Sequence, residues 1–67
     1  MNPAHERALA VLNAGRERFV MDFPNQWIAV NANAIVRSAA RFDLLLLEPG
    51  VDAERFVFAF VAVGAWA

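Results

Sequence analysis

At 67 residues the chain is predicted to form one domain, residues 1–67, with a hydrophobic core that is marginal without further support. The absence of cysteine excludes disulfides and thiolate zinc sites, and the single histidine, His5, leaves no ordinary set of zinc ligands. A net charge of −1 gives little long-range attraction to nucleic acid. Because disulfides and ordinary zinc sites are excluded, association with another surface is the remaining way to stabilise so small a protein.

The first predicted element is a helix from about Pro3 to Ala14. Asn2 is a favourable N-cap and Pro3 suits the first helical position. Leu9 and Leu12 contribute to a short apolar stripe, and Gly15 is typical of a helix C-terminus. These features predict an amphipathic helix that ends at the first glycine.

The next segment, Glu17–Phe23, is predicted to be a strand. Phe19, Met21 and Phe23 alternate with more polar positions, which is the two-residue period of a half-buried strand. Pro24 would end it.

A second helix is predicted from Gln26 to about Phe42, with Asn25 as its N-cap. At 100° per residue the apolar side chains gather on one side and the polar ones on the other, with Trp27 near the middle of the polar side. The apolar side is Ile28, Ala32, Ile35, Val36, Ala39 and Phe42, and the polar side is Asn31, Asn33, Arg37, Ser38 and Arg41.

The last third of the chain favours two short strands. Asp43–Glu48 is predicted to be a buried strand ended by Pro49 and Gly50, although leucine would also allow the helix to continue. From Phe56 onward both faces are apolar, and the aromatic and β-branched content favours a strand over a helix. Such a strand needs cover on both faces, which two short helices can scarcely provide. One face carries Phe56, Phe58, Phe60 and Trp66.

These elements predict an α+β fold in the order helix-strand-helix-strand-strand, with one antiparallel or mixed sheet. The alternative is an all-α bundle of three helices, in which Gln26–Glu48 and Asp52–Trp66 are helical.

The sequence does not contain the residue arrangements of common catalytic sites. His5-Glu6 begins a metalloprotease-like motif, but Leu9 stands where the second histidine is required. Ser38 is the only hydroxyl side chain, and neither a phosphate-binding glycine motif nor a lysine occurs. We therefore expect a protein that is not an enzyme and has no catalytic residues, cofactor or metal.

The apolar content is the strongest indication of function. Hydrophobic residues are 60% of the chain, against roughly 45–50% in typical domains with glycine included. We therefore expect a small interaction protein (a subunit, adaptor or inhibitor) that pairs with a second copy or a larger protein. Buried aromatic residues are the usual anchors of such interfaces. The predicted anchors are Trp27, Phe56, Phe58, Phe60 and Trp66.

Two other functions remain open at this level. The apolar run Phe56–Ala67 would also suit a component of a membrane surface or membrane complex, although it lacks a polar face and is too short to span a bilayer. Arg37 and Arg41, one turn apart on the predicted helix, form a possible polar or basic contact face for a nucleic-acid-binding regulator. No basic segment followed by an apolar one occurs near the N-terminus, so a cytoplasmic location is expected.

Overall fold

The computed structural model describes residues 3–64, which fold into three helices and a three-stranded antiparallel sheet. The predicted α+β class is confirmed, and the three-helix bundle is wrong. The element order also differs from the prediction, because it is helix-helix-strand-strand-helix-strand. The elements are α1 (Pro3–Ala14), α2 (Arg16–Asp22), β1 (Trp27–Asn31), β2 (Val36–Ala39), α3 (Phe42–Leu45) and β3 (Phe56–Phe60).

Helix α1 has the predicted bounds. Its buried residues, Ala8 and Leu12, are four apart and therefore lie on one side of the helix, towards the sheet. Gly15 follows, and its N–H donates to the Val11 carbonyl oxygen at 3.1 Å. Residues 3–14 therefore fold as their local pattern predicts.

The strand predicted at Glu17–Phe23 is wrong, because this segment forms α2. Phe19 and Phe23 fit a two-residue period, but they are also four residues apart and share one side of a helix. Their ring centroids are 6.3 Å apart, and Phe19 is buried. Met21, placed beside them by the strand prediction, is 81% exposed. A seven-residue segment is too short for its apolar pattern to distinguish the two periods.

Gly15, at the corner between α1 and α2, lies directly against the Phe19 ring. A Cβ added at Gly15 would come within 2.9 Å of Phe19 Cε2 and 3.4 Å of the Val11 carbonyl oxygen. We expect Gly15→Ala to lower the free energy of unfolding by about 1–3 kcal/mol, because the buried ring has little room to move. Urea denaturation measures the loss. In a Phe19→Leu background the further cost of Gly15→Ala should be smaller, and an equal cost in both backgrounds would contradict the steric explanation.

The helix predicted from Gln26 to Phe42 is also wrong, because the segment forms a β-hairpin of β1 and β2. The turn is closed by Asn31, whose side-chain oxygen accepts hydrogen bonds from the N–H groups of Asn33 at 3.0 Å and Ile35 at 2.9 Å. Ala34 in the turn has φ of +61°, outside the helical region. Local side-chain to backbone bonds of this kind compete with helix formation.

Segment Asp43–Glu48, predicted as a strand, is instead the end of α3 and a series of turns. Leu45 is fully buried, whereas Leu44, Leu46 and Leu47 are exposed. Arg41 and Asp43 form a two-bond ion pair, at 3.0 and 2.9 Å, at the start of the helix. The N–H groups of residues 45–48 donate to carbonyl oxygens three or four residues earlier, so they do not join the sheet.

The strand predicted from Phe56 onward is confirmed as β3, which pairs antiparallel with β1 over Phe56–Phe60. Val61 continues the contact by exchanging hydrogen bonds with Gln26 and Asn25 at 2.8 Å. Val61–Gly64 are not in a strand, and Trp66 lies outside the described residues.

The two faces of the sheet are covered very unequally. On one face Ile28 and Val30 of β1 pack against Leu12 of α1 and Phe19 of α2, together with Val61. The opposite face is covered by Leu45 of α3 and by Val51. Two helices therefore cover one face, whereas one short helix and a turn cover only part of the other.

Candidate interaction surface

The partly covered face of the sheet carries four aromatic side chains in mutual contact, which we call the aromatic face: Trp27, Phe42, Phe58 and Phe60. Ring centroids are 5.1 Å apart for Trp27 and Phe42, 5.6 Å for Trp27 and Phe60, and 5.4 Å for Phe42 and Phe58. The last two pairs are edge-to-face, which is a favourable arrangement of aromatic rings. The rings therefore form an ordered cluster.

Strand register explains why three of these rings meet. Trp27 pairs with Phe60, and Ala29 pairs with Phe58, so all four side chains lie on one face of the sheet. Ala29 is fully buried beneath this layer, in contact with a core that includes Leu45. Its small side chain makes space for the larger residues over the centre of the sheet.

The cluster is only partly shielded from solvent. Phe42 is 40% exposed and Phe60 is 39% exposed, while Trp27 and Phe58 are half-buried. Leu44 and Leu46, which follow Phe42 in the chain, are exposed as well. Large aromatic side chains that remain partly open to water are typical of interaction surfaces.

The structure brings together three of the five predicted interface residues, namely Trp27, Phe58 and Phe60. Phe56 is only 4% exposed and belongs to the chain's own core, so it is not accessible to a partner. The predicted anchor Trp66 lies outside the described residues. Phe42 was missed because the predicted helix placed it on the apolar side and Trp27 on the polar side. No local pattern joins Phe42 to Trp27, and only the turn between β2 and α3 brings them together.

Arg37 and Arg41 do not share a helix face, because the helix on which that prediction depended is absent. Arg37 lies in β2 and donates a hydrogen bond from its guanidinium to the Val36 carbonyl oxygen at 3.0 Å. Arg41 precedes α3 and is paired with Asp43 at 2.9 Å. The predicted basic contact face is therefore not formed by a helix, and one of its two charges has an acidic neighbour.

The other sequence candidates for chemistry lie apart from this surface. His5 Nε2 is 3.3 Å from the Ala53 carbonyl oxygen, and Ser38 lies in β2. Across residues 3–64, no three His, Asp or Glu side chains are grouped so as to hold a metal ion.

A cleft of about 640 Å³ lies between the α1–α2 corner and the β-hairpin. Its lining includes the apolar residues Phe19 and Val36 and the charged residues Glu17, Arg18 and Asp22. The lining has no histidine and no hydroxyl side chain, so it offers no nucleophile with a neighbouring base.

Within the part of the chain that is described, none of the helices has the length and apolar character needed to cross a lipid bilayer. Comparisons of the chain with protein-family models, with curated proteins and with solved structures found no match.

Proposed function

We propose that this chain is a small non-enzymatic interaction protein that acts through its aromatic face and forms a homodimer. The observation that carries the proposal is the ordered cluster of four rings, of which Phe42 and Phe60 are each about 40% exposed. Aromatic residues are the usual energetic anchors of protein interfaces.

The size of the exposed ring area supports association. A phenylalanine side chain presents about 150–250 Å², so the exposed parts of Phe42 and Phe60 amount to roughly 160 Å² per copy. At about 25 cal/mol per Å², covering both rings gains ~4 kcal/mol per copy, or ~8 kcal/mol for a pair of copies. The costs of association are comparable, ~4–15 kcal/mol. The rings alone therefore leave at most ~4 kcal/mol, a dissociation constant of about 1 mM, and neighbouring groups must contribute about 2 kcal/mol more for a dimer that forms at tens of micromolar.

The direct test is sedimentation analysis of Phe60→Glu over a range of concentrations. We expect the wild-type chain to dimerise at tens of micromolar, on the order of the affinity estimated above. Phe60→Glu should weaken the dimer on the order of 100-fold, because it places an unpaired charge in an apolar interface. The matched control is Met21→Glu, which adds the same charge on α2, at a side chain that is 81% exposed.

Thermal unfolding of both variants is measured to check that they remain folded. Two results would contradict the proposal: a wild-type chain that stays monomeric to about 1 mM, far above the expected dissociation constant, or a Phe60→Glu variant that dimerises as tightly as wild type.

A second candidate, attachment to a membrane surface, is favoured by the exposed leucines Leu44, Leu46 and Leu47. Asp43 and Glu48 flank these leucines and would be repelled by anionic lipid. Flotation with anionic and with zwitterionic vesicles separates this function from dimerisation.

Nucleic-acid binding has weaker support, since Arg41 is paired with Asp43. A cytoplasmic location remains part of the proposal and is supported by the absence of cysteine.

A further inference from the structure

One side of α3 continues the aromatic face beyond its four rings. Leu46 directly follows α3, and its backbone is still helical, with φ of −66° and ψ of −19°. Its N–H donates to the Phe42 carbonyl oxygen at 3.2 Å, and residues four apart lie on the same side of a helix. The Phe42 ring centroid is 5.1 Å from that of Trp27 and 5.4 Å from that of Phe58. An apolar strip, which we call the α3 strip, therefore runs from Phe42 to Leu46.

Leu44 is exposed to nearly the same extent as Leu46 but lies on another side of the helix. Its exposed fraction is 46%, against 44% for Leu46. Around the helix axis Leu44 is about 200° from Phe42, whereas Leu46 is only about 40° from it. The fully buried Leu45, which packs against the sheet, separates the direction of Leu44 from that of Phe42. The two leucines therefore differ in position rather than in exposure, and only Leu46 adjoins the aromatic face.

The charge beside the α3 strip is already paired. Within Phe42–Leu46 the only charged residue is Asp43, whose carboxylate accepts two hydrogen bonds from the Arg41 guanidinium, at 3.0 and 2.9 Å. In a two-fold dimer the same patch of both copies meets, so an unpaired charge there would face a like charge and lower the affinity. Because the carboxylate has its own counter-ion, the α3 strip is suited to contact with a second copy.

The α3 strip can supply the affinity that the exposed rings leave missing. The rings alone give a dissociation constant of about 1 mM, and a dimer that forms at tens of micromolar is about 30-fold tighter. Full burial of a leucine side chain changes an equilibrium constant by a factor of roughly 10–150. Since Leu46 is 44% exposed, covering it in both copies contributes a factor of roughly 10–90. This range includes the factor that is required.

We infer that the dimer interface extends from the aromatic face along the α3 strip, so that the second copy covers Leu46 and leaves Leu44 in water. The inference rests on the proposed function and adds the part of the surface that sets the affinity of the dimer. It also divides the exposed leucines that follow Phe42 between two environments, because only one of them lies on the side of the rings.

Sedimentation analysis of Leu46→Gln, with Leu44→Gln as the matched control, tests the extent of the interface. Both variants make the same substitution at side chains of nearly equal exposure, so a general loss of apolar surface affects them alike. Leu46→Gln should raise the dissociation constant of the dimer by at least about 10-fold, because the gain from covering the leucine is lost. Leu44→Gln should change it by less than about twofold.

Equal weakening by the two variants would overturn the inference, since association would then follow exposed apolar area rather than position on the helix. Unchanged dimerisation of Leu46→Gln would overturn it as well, and the proposed function would still stand if Phe60→Glu weakened the dimer. A chain that stays monomeric to about 1 mM would overturn both. Flotation of such a chain with vesicles would assign the leucines to a membrane surface.

NMR of the unmodified protein gives a second measurement, which does not depend on the folding of any variant. In a dimer formed from isotope-labelled and unlabelled chains, nuclear Overhauser contacts between the two copies should involve the methyl groups of Leu46 and not those of Leu44. A dimer that shows such contacts from Leu44, or none from Leu46, would overturn the inference.

Discussion

Phe56→Ala is expected to lower the free energy of unfolding by about 3–5 kcal/mol, which would leave much of so small a protein unfolded. Phe56 is 4% exposed and packs with Ala29 and Leu45 between the sheet and α3. Removing the ring leaves a cavity that the surrounding backbone can fill only in part. Urea denaturation followed by circular dichroism measures the change.

The matched control is Phe60→Ala, which removes the same ring from the same strand and the same face of the sheet. Because Phe60 is 39% exposed, its loss should cost the folded monomer about 1–2 kcal/mol, clearly less than the loss of Phe56, while it weakens dimerisation. Comparable losses of monomer stability in the two variants would contradict the distinction between Phe56 as a core residue and Phe60 as a surface residue.

Ile28→Ala is expected to cost about 2–5 kcal/mol through the core on the other side of the sheet. Ile28 is fully buried in the central strand and packs among Leu12, Phe19 and Val61. The substitution both removes buried methyl groups and replaces a β-branched residue in a strand with alanine, which has lower strand propensity. Thermal unfolding at a fixed, low protein concentration measures the loss without a contribution from dimerisation.

Ile35→Ala is the control for this substitution, since Ile35 lies in the hairpin turn with 41% of its surface exposed. We expect a loss below about 1 kcal/mol there. Had Gln26–Phe42 been the predicted amphipathic helix, Ile28 and Ile35 would lie on the same buried side and the two losses would be similar. The pair of variants therefore also tests the hairpin in solution.

Elements with distinctive local signals were predictable. Helix α1 has its proline at the start and its glycine directly after the end, and both positions favour a helix whatever the rest of the chain does. Strand β3 is rich in phenylalanine and valine, and its pattern has no polar side that a surface helix would need. The α+β class was predicted from five elements, and these two are the ones that the structure confirms.

The segments that were mispredicted have apolar patterns that satisfy two periods. Phe19 and Phe23 fit either a strand or a helix, and the helix forms because it places Phe19 against Gly15 and the sheet. In Gln26–Phe42 the apolar residues fit a helix, but Asn31 closes a turn through two side-chain bonds, and β1 gains partners on both sides. Pairing between strands that are distant in the sequence contributes to the free energy of folding, and this contribution cannot be predicted from a short stretch of residues.

The aromatic residues of the candidate surface were evident in the sequence, but their separation into core and surface was not. Phe56, Phe58 and Phe60 have the same side chain and the same two-residue spacing, so the sequence alone treats them alike. Leu45 and Val51 pack in the same core as Phe56. They do not cover Phe60, which therefore remains partly exposed. Phe42 joins the surface only because α3 follows β2 and places its ring beside Trp27.

The composition by itself determined that this chain has more apolar side chains than a short polypeptide usually buries, and that it has no cysteine, one histidine and one hydroxyl side chain. Tertiary structure decided where the apolar excess is exposed. Helices α1 and α2 are consecutive and pack on the same side of the sheet, so the other side depends on the four residues of α3 and the turns around it. A helix of one turn is too short to cover a three-stranded sheet, and for that physical reason the aromatic face remains open.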